Sequence, residues 1–285
     1  LISLIPESIS LSNSLIIPKE YTFQVKKGSQ VDLINGSFIL SYSPIKLLGT
    51  KDEPILITSS DNTGEGLLVV NVDSKSVVNN VLFEKQNTIS KLGLNVTGSI
   101  TFFNSDVDIN NCVFSSLFAE DGLNIVSSKF SINNSTFKKI QSDAIDIDFS
   151  NGNINNMKFL EIGNDALDFS GSDINARNLE INIVGDKGIS IGEKSTVNIK
   201  KASINSSLIG IAVKDDSKLV GKDINVSNST VGIAGYNKKD WFSGGNINLL
   251  NTNAIKNIDD FLNESGSIMR INNLPINPNI NNFYK

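Results

Sequence analysis

Acidic side chains recur at a nearly constant spacing through the middle of the chain. One set of carboxylates recurs at intervals of 22, 22 and 21 residues: Asp121, Asp143, Asp165 and Asp186. A second set lies three residues further on: Asp146 and Asp168, with Asp148 beside them. If each interval is one structural repeat, stacked carboxylates stand ~4.8 Å apart, and at an effective dielectric of ~20 each pair costs roughly 3.5 kcal/mol. A compensating interaction is therefore expected.

Three compensating arrangements are open. A calcium ion could bridge oxygens of successive repeats, with Asp143, Asp146, Asp165 and Asp168 as its ligands. One carboxyl could stay protonated, as a general acid requires. Lys187 and Lys214, which follow in the next repeats, could neutralise the carboxylates. The first set could also cap turns through Asx hydrogen bonds, a role that the second set does not need.

Two enzyme mechanisms fit this inventory. In a calcium-assisted polyuronate lyase, the cation acidifies the proton beside a uronate carboxylate, and Lys187 or Lys214 removes that proton. In an inverting glycosidase, one Asp protonates the leaving oxygen and another activates water across ~6.5–9.5 Å, as Asp146 and Asp165 could. The lyase is favoured because the second scheme uses no lysine. The predicted catalytic residues are Lys187, Lys214, Asp168 and Asp146.

A group of acidic, basic and aromatic residues flanks the carboxylates and is predicted to bind substrate: Glu120, Asp121, Glu193, Asp215, Tyr236, Lys238, Lys239 and Trp241. The aromatic residues among them, with Phe242, could stack on sugar rings or help to hold an acidic polymer. Trp241 could instead pack a loop against the rest of the fold. A carbohydrate-binding or structural module without a catalyst therefore remains an alternative.

Composition excludes several other classes of protein. The 285 residues contain no His and one Cys, which rules out a Ser-His-Asp triad, a His-ligated zinc and an internal disulfide. The net charge of −5 and the presence of just two Arg argue against nucleic acid as a ligand. No run approaches the ~20 apolar residues of a membrane helix. The start at Leu1, without Met, indicates a cut within a longer precursor.

An internal repeat predicts the fold. The phrase Ile109–Phe114 returns as Ile132–Phe137 and Ile154–Phe159, and apolar and polar residues alternate within each copy of about 22 residues. Such short strands must pair with the same strand of the next copy, so the prediction is an all-β, right-handed parallel β-helix, a single-stranded solenoid of ~22 residues per coil. The 39 Asn residues predict amide ladders at the bends. Cys112 is expected to be an inert, partly buried thiol in a column with Ser135, Met157 and Arg177.

No linker-like change of composition occurs, so residues 1–285 are predicted to form one domain. Within it we expect an N-terminal cap over 1–20 and irregular early coils over 21–105. Regular coils over 106–258 and a C-terminal cap or tail over 259–285 follow.

The chain also resembles known β-helix families. The phrases Leu48-Gly49-Thr50 and Pro54-Ile-Leu-Ile-Thr-Ser59 are similar to those in many secreted bacterial β-helix proteins. The stretch 120–239 resembles a β-helix module that accompanies CotH-like kinase domains. Its matching phrases are Ser142-Asp143-Ala-Ile-Asp146-Ile-Asp148, Gly163-Asn164-Asp165-Ala-Leu-Asp168, Gly185-Asp186-Lys187-Gly-Ile-Ser-Ile-Gly-Glu193 and Ile209-Gly-Ile-Ala-Val-Lys214-Asp215. The wider resemblance to pectate-lyase-like proteins implies a polysaccharide partner, which could be anionic, and a secreted or cell-surface bacterial location. The CotH resemblance implies a covalently linked neighbouring domain.

Overall fold

The computed structural model describes residues 2–5 and 8–283, and the side chains from residue 8 onward. Every regular element in these ranges is a β-strand, and the strands stack into a parallel β-solenoid of about 23 residues per turn, which confirms the predicted all-β parallel β-helix. The described residues include no helix that is long and apolar enough to cross a membrane. Residues 1, 6 and 7 of the predicted N-terminal cap, and 284 and 285 of the predicted tail, lie outside the described ranges.

The chain divides into two compact units, 1–146 and 147–285, which are described separately. The predictions of one domain and of its four segments stay predictions. The strands of the first unit are β1 (Ile2–Ile5), β2 (Ile9–Leu11), β3 (Leu15–Ile17), β4 (Thr22–Val25), β5 (Gln30–Leu33), β6 (Phe38–Ser41), β7 (Ile45–Leu48), β8 (Ile55–Thr58), β9 (Gly66–Asn79), β10 (Val81–Glu84), β11 (Gly98–Asn110), β12 (Val113–Ser115), β13 (Asp121–Val126), β14 (Lys129–Asn133) and β15 (Thr136–Ile140). Strand β16 (Asp143–Asp148) spans the boundary.

The first unit has three parallel ladders, each joining strands one coil apart. The first ladder joins β1, β4, β7, β9, β11 and β14. The second joins β2, β5, β8, β10, β12 and β15. The third joins β3 and β6 to the N-terminal parts of β9 and β11, and then to β13. Strands β1, β2 and β3, which lie within the predicted cap of residues 1–20, are the first strands of the three ladders.

The second unit is more regular. Its strands are β17 (Asn151–Ile162), β18 (Leu167–Ser170), β19 (Asp173–Val184), β20 (Lys187–Gly192), β21 (Thr196–Asn205), β22 (Ile209–Lys214), β23 (Lys218–Ser227), β24 (Val231–Tyr236), β25 (Asn246–Ile255), β26 (Asp259–Asn263), β27 (Ile268–Ile271) and β28 (Leu274–Ile276). The long strands β17, β19, β21, β23 and β25 pair in parallel, and β27 continues the N-terminal part of their ladder. The short strands β18, β20, β22, β24 and β26 form a separate parallel ladder, whereas β28 pairs antiparallel with β27.

Each long strand of the second unit bends at a residue of positive φ near its middle, and β17 and β19 have a second such residue near their ends, Glu161 and Ile183. In β19 the residue near the middle is Asn178, at a φ of 53°, a conformation that Asn tolerates better than most residues. Its Nδ2 donates to Oδ1 of Asn156 one coil below at 2.7 Å. In the first unit, Asn133 donates to Asn110 in the same way at 3.0 Å. The predicted asparagine ladders are therefore confirmed.

Inward side chains form the core of each unit. In the first unit, the rings of Phe83, Phe114 and Phe137 stack at centroid separations of 5.1 and 4.3 Å, and all three are fully buried. In the second unit, Gly210 faces the core where a Cβ atom would lie 2.2 Å from Cγ1 of Val226. This approach explains why glycine recurs at the start of the short strands, since a side chain there would displace the strand from the core.

Cys112 is more deeply buried than predicted, at 1% exposure, and burial raises the pKa of its thiol to about 12. Its amide donates to the Ser135 hydroxyl at 3.1 Å, as the predicted column requires. The extension of that column to Arg177 is wrong. Met157 pairs with Leu179, whereas the exposed Arg177 pairs with Asn155, because the interval of 20 residues between Met157 and Arg177 falls two short of the register of 22.

Candidate functional site

The short strands of the second unit present a largely buried outer surface, here called the short-strand face. It comprises the outward side chains of β18, β20, β22 and β24. Asp168, Ser190, Ala212 and Ala234 follow one another in register on it. The carboxylate column of the sequence therefore gives way to a hydroxyl and then to methyl groups.

Lys187 is one of two buried ammonium groups on the short-strand face, at 6% exposure. Its Nζ lies 3.5 Å from Oδ1 of Asp165 and also pairs with the carboxylate of Asp186. The amide of Lys187 donates to the same Oδ1 of Asp165 at 2.8 Å. The predicted stacking of Asp186 on Asp165 is wrong, because its interval of 21 residues falls one short of the register of 22, which puts Lys187 opposite Asp165.

Lys214 is the second buried ammonium group, at 7% exposure. Its Nζ donates to the hydroxyl of Ser190 and lies 3.9 Å from Oδ1 of Asp168. Room for it exists because position 192 is glycine, where a Cβ atom would lie 3.1 Å from the Lys214 Cε. Burial lowers the pKa of Lys214, the Asp168 carboxylate opposes this, and the nearby ammonium of Lys187 adds to the lowering.

Asp168 links this buried pair to the surface. Its side chain is 28% exposed, yet its Oδ1 is buried and accepts no hydrogen bond from the described residues. This Oδ1 and the Nζ of Lys214 form an ion pair at 3.9 Å, a distance that is too long for a hydrogen bond. An oxygen held this way can accept a hydrogen bond if Lys214 moves closer or if a ligand donates to it.

Ser190 is a site residue that the sequence interpretation missed. It is fully buried and stands where the neighbouring short strands carry Ala212 and Ala234. The sequence does contain one signal for Ser190: it is a hydroxyl residue at a position where the neighbouring coils have Asp168 or alanine.

The predicted substrate-binding residues of the second unit divide into an exposed group and a buried group. Glu193 and Lys239 form a half-buried ion pair, and Lys238 is exposed. Asp215 is fully buried, and its Oδ1 accepts the amides of Lys238 and Lys239 at 2.8 and 2.9 Å, so its first role is to hold this loop.

The aromatic residues in this loop and at the end of β24 also include both exposed and buried side chains. Trp241 is 75% exposed and touches Phe242 at a tilted centroid separation of 6.1 Å. The Lys194 ammonium lies 5.6 Å from the centre of the Phe242 ring. Tyr236 is fully buried against Phe283, with ring centroids 4.8 Å apart, so it presents no surface to a ligand.

The remaining predicted site residues belong to the first unit. Glu120 is exposed, Asp121 is buried, and Asp143 and Asp146 are half-buried. Nδ2 of Asn124 donates to Oδ2 of Asp146 at 3.2 Å. Asn124 therefore occupies, one coil earlier, the position that Asp146 occupies in its own coil, and its side chain is an amide instead of a carboxylate. Of the four predicted calcium ligands, Asp143 and Asp146 therefore belong to the first unit, and Asp165 and Asp168 belong to the second. Among the described residues, no three His, Cys, Asp or Glu side chains converge as metal ligands do.

Comparison with known proteins gives a likeness of fold alone. No family profile matches the sequence, and no curated protein is significantly similar to it. The solved structure of the periplasmic alginate epimerase AlgG aligns with a TM-score of 0.57 at 13% identity, over 96% of this chain and 76% of that chain. A double mutant of the same epimerase aligns with a TM-score of 0.60 at 13% identity, over 94% of this chain and 78% of that chain. The chain thus shares the parallel β-helix fold with an alginate epimerase.

Proposed function

We propose that the chain acts on an acidic polysaccharide by removing the proton beside a uronate carboxylate, with Lys214 as the base. In the lyase form of this reaction, the C–H electron pair becomes a carbon–carbon double bond. The bond to the glycosidic oxygen breaks with its electron pair on that oxygen, which takes a proton from water. The buried Lys214 ammonium, held between Ser190 and Asp168, carries the proposal. A lysine acts as a base when it is deprotonated near the working pH, and burial lowers the pKa of Lys214 in that direction.

Asp168 and Ser190 would act as positioning residues in this scheme. The hydroxyl of Ser190 fixes the Nζ of Lys214, and the carboxylate of Asp168 stabilises the ammonium that forms once the proton has been taken. The ammonium of Lys187 would disfavour the charged form of Lys214.

Two observations support a polysaccharide substrate. The structural likeness is to a protein named as an epimerase of alginate. The surface beside the short-strand face also has the exposed Trp241 and the Glu193–Lys239 pair, which are side chains of the kind that contact sugars. That epimerase is periplasmic, which supports a location outside the cytoplasm for this chain. A neighbouring CotH-like domain stays a prediction from the sequence resemblance.

Calcium does not enter the proposed mechanism. Asp165 and Asp168, two of its four predicted ligands, face the ammonium groups of Lys187 and Lys214, which compete with a cation for the same oxygens. The ion pairs of Lys187 and Lys214 support neutralisation by lysine among the three compensating arrangements derived from the sequence. The calcium site and the inverting glycosidase stay predictions.

Replacing Asp168 by Asn tests the proposal. Incubation of the wild type with polygalacturonate or alginate should release unsaturated uronate, which is measured by its ultraviolet absorbance. Asp168→Asn should lower the maximum rate by about tenfold or more, because it removes the charge that stabilises protonated Lys214. The rising limb of its pH–rate profile should also move to lower pH, because the Asp168 carboxylate raises the pKa of Lys214.

The control for this test is Asp173→Asn, which changes an exposed carboxylate of the same unit. It should leave both the rate and the pH profile unchanged. A wild type without product on either polymer would overturn the proposed reaction. A slower Asp168→Asn variant with an unmoved pH profile would assign Asp168 a purely structural role.

A carbohydrate-binding module is the second candidate, favoured by the 75% exposure of Trp241. Exposed indole rings stack on sugar faces, and nothing in that role requires a base. In this case we expect calorimetry to detect polysaccharide binding without product, and Trp241→Ala to weaken it by about tenfold. Leu274→Ala, at an exposed apolar residue of the same unit, should not alter binding. Equal binding by wild type and Trp241→Ala would contradict this function.

A further inference from the structure

The long strands of the second unit carry a groove on their outer surface that the proposed reaction does not use. It has a volume of about 500 Å³ and lies along β19, β21, β23 and β25. We call it the basic groove and define it by Arg177, Lys200, Lys222, Asn175, Asn198 and Val220.

Three cations of the basic groove stand directly in line. Arg177 pairs in register with Lys200, and Lys200 with Lys222, so successive charges are one strand apart, at ~4.8 Å. All three side chains are exposed, and none of them forms an ion pair or hydrogen bond with another described residue. Aligned like charges repel one another, and an anion lying across them would relieve that repulsion.

The surroundings of the basic groove strengthen this positive character. Lys218 and Arg270 are outward on the part of this ladder that precedes the bends, where Asp173 is the one carboxylate among the described outward positions. Glu161, Glu180 and Asp223 lie at or beyond the bends. The whole protein has a net charge of −5, so a general excess of cations cannot account for this concentration. The charge is specific to this surface.

The other side chains of the basic groove fit a sugar polymer. Asn198 donates to Asn175 at 3.4 Å, which fixes a row of amides beside the cations. Val220, at 51% exposure, and Leu250, at 43%, supply apolar surface next to them. Cations, amides and aliphatic groups match the carboxylates, hydroxyls and C–H faces of uronate residues. No aromatic side chain lines the groove, whereas single-stranded nucleic acids are held by stacking on such rings.

We propose that the basic groove is a binding site for an extended acidic polysaccharide, separate from the Lys214 site. Its three cations in line recognise successive carboxylates of one chain. Arginine and lysine both donate to carboxylates, and a row of them favours a repeating anion over a single one. Such a site would hold a long polymer whether or not Lys214 performs chemistry on it.

The test compares two triple variants with the same change in charge. The first replaces Arg177, Lys200 and Lys222 by Gln, and the control replaces Lys46, Lys129 and Lys138, three exposed strand lysines of the first unit, by Gln. Binding of polygalacturonate oligosaccharides is measured by calorimetry at about 0.05 M and about 0.5 M salt. Far-UV circular dichroism checks that both variants keep the fold.

We expect the first triple variant to bind at least tenfold more weakly than wild type at low salt, and the control to bind as wild type does. High salt should weaken the wild type most. Lys214→Met should retain binding, which separates this site from the proposed catalyst. Equal loss in both triple variants, no loss in the first, or tighter binding of single-stranded DNA than of polygalacturonate would each overturn the proposal.

Discussion

Replacing Lys214 by Met should abolish turnover of the acidic polysaccharide while the protein stays folded. The side chains have similar lengths, so Met fills the space beside Gly192 and Ser190 without the amine. General-base catalysis contributes about 10²- to 10⁴-fold to a rate, and we expect a loss of that size. The rate is followed by ultraviolet absorbance of unsaturated uronate, and binding is measured separately by calorimetry.

The pH dependence of the wild type provides a second measurement on Lys214. Because burial lowers its pKa below the usual 10.5, the rate should rise with pH around a midpoint below 10.5. Lys214→Arg should be inactive at every pH, since its guanidinium stays protonated. Lys256→Met, on an exposed lysine of the same unit that lies outside the basic groove, is the matched control and should behave as wild type.

The pH dependence of the free energy of unfolding should also reflect the lowered pKa of Lys214. Between the lowered pKa of Lys214 and 10.5, the unfolded chain binds one proton more than the folded chain at this residue. The contribution of Lys214 to the free energy of unfolding therefore rises with pH across that window. Lys214→Met lacks this contribution, so urea unfolding of the two proteins at neutral and alkaline pH should show a steeper rise for wild type. Parallel pH dependences, together with an active Lys214→Met variant, would refute the assignment of Lys214 as the base.

Replacing Phe114 by Ala should destabilise the first unit by about 3–5 kcal/mol. Phe114 is fully buried between Phe83 and Phe137, with its ring nearly parallel to both, so its loss leaves a cavity and breaks both stacking contacts. Urea unfolding followed by circular dichroism measures the change as a lower midpoint of the transition.

The control for this variant is Phe103→Ala in the same unit. Phe103 is 43% exposed, so its truncation should change stability by about 0.5 kcal/mol or less. A Phe114→Ala variant as stable as Phe103→Ala would mean that the phenylalanine stack does not hold the coils together. Because the chain has two compact units, the transition is fitted for each step separately if two steps are resolved.

The fold could be predicted from the sequence because a solenoid repeats its physical requirements in every coil. The returning Ile-Asn-Asn phrase encodes an inward residue, a ladder amide and a bend, and the structure places Asn133 and Asn110 accordingly. Residues off this pattern were harder to place. Arg177 was assigned to an inward column 20 residues after Met157, and the register of 22 residues places it beside Asn155 on the outer surface instead.

The candidate site could be predicted in part. The sequence identified Asp168, Lys187 and Lys214 from their recurrence, and the structure brings Lys214 to Asp168 and Lys187 to Asp165. Ser190 was missed because a single serine in a chain rich in serine gives no signal of its own. The sequence could not distinguish the exposed Trp241 from the buried Tyr236, since Tyr236 ends β24 and Trp241 lies in the loop directly after it.

The sequence by itself determined the parallel β-helix, its coil length and its asparagine ladders, because each of these depends on local alternation and on a period that every copy repeats. The tertiary structure alone decided which charges meet. A one-residue difference between the Asp165–Asp186 interval and the register puts an ammonium group, not a carboxylate, beside Asp165. Burial beneath neighbouring coils then sets the pKa of Lys214, and desolvation by residues distant in sequence cannot be read from spacing.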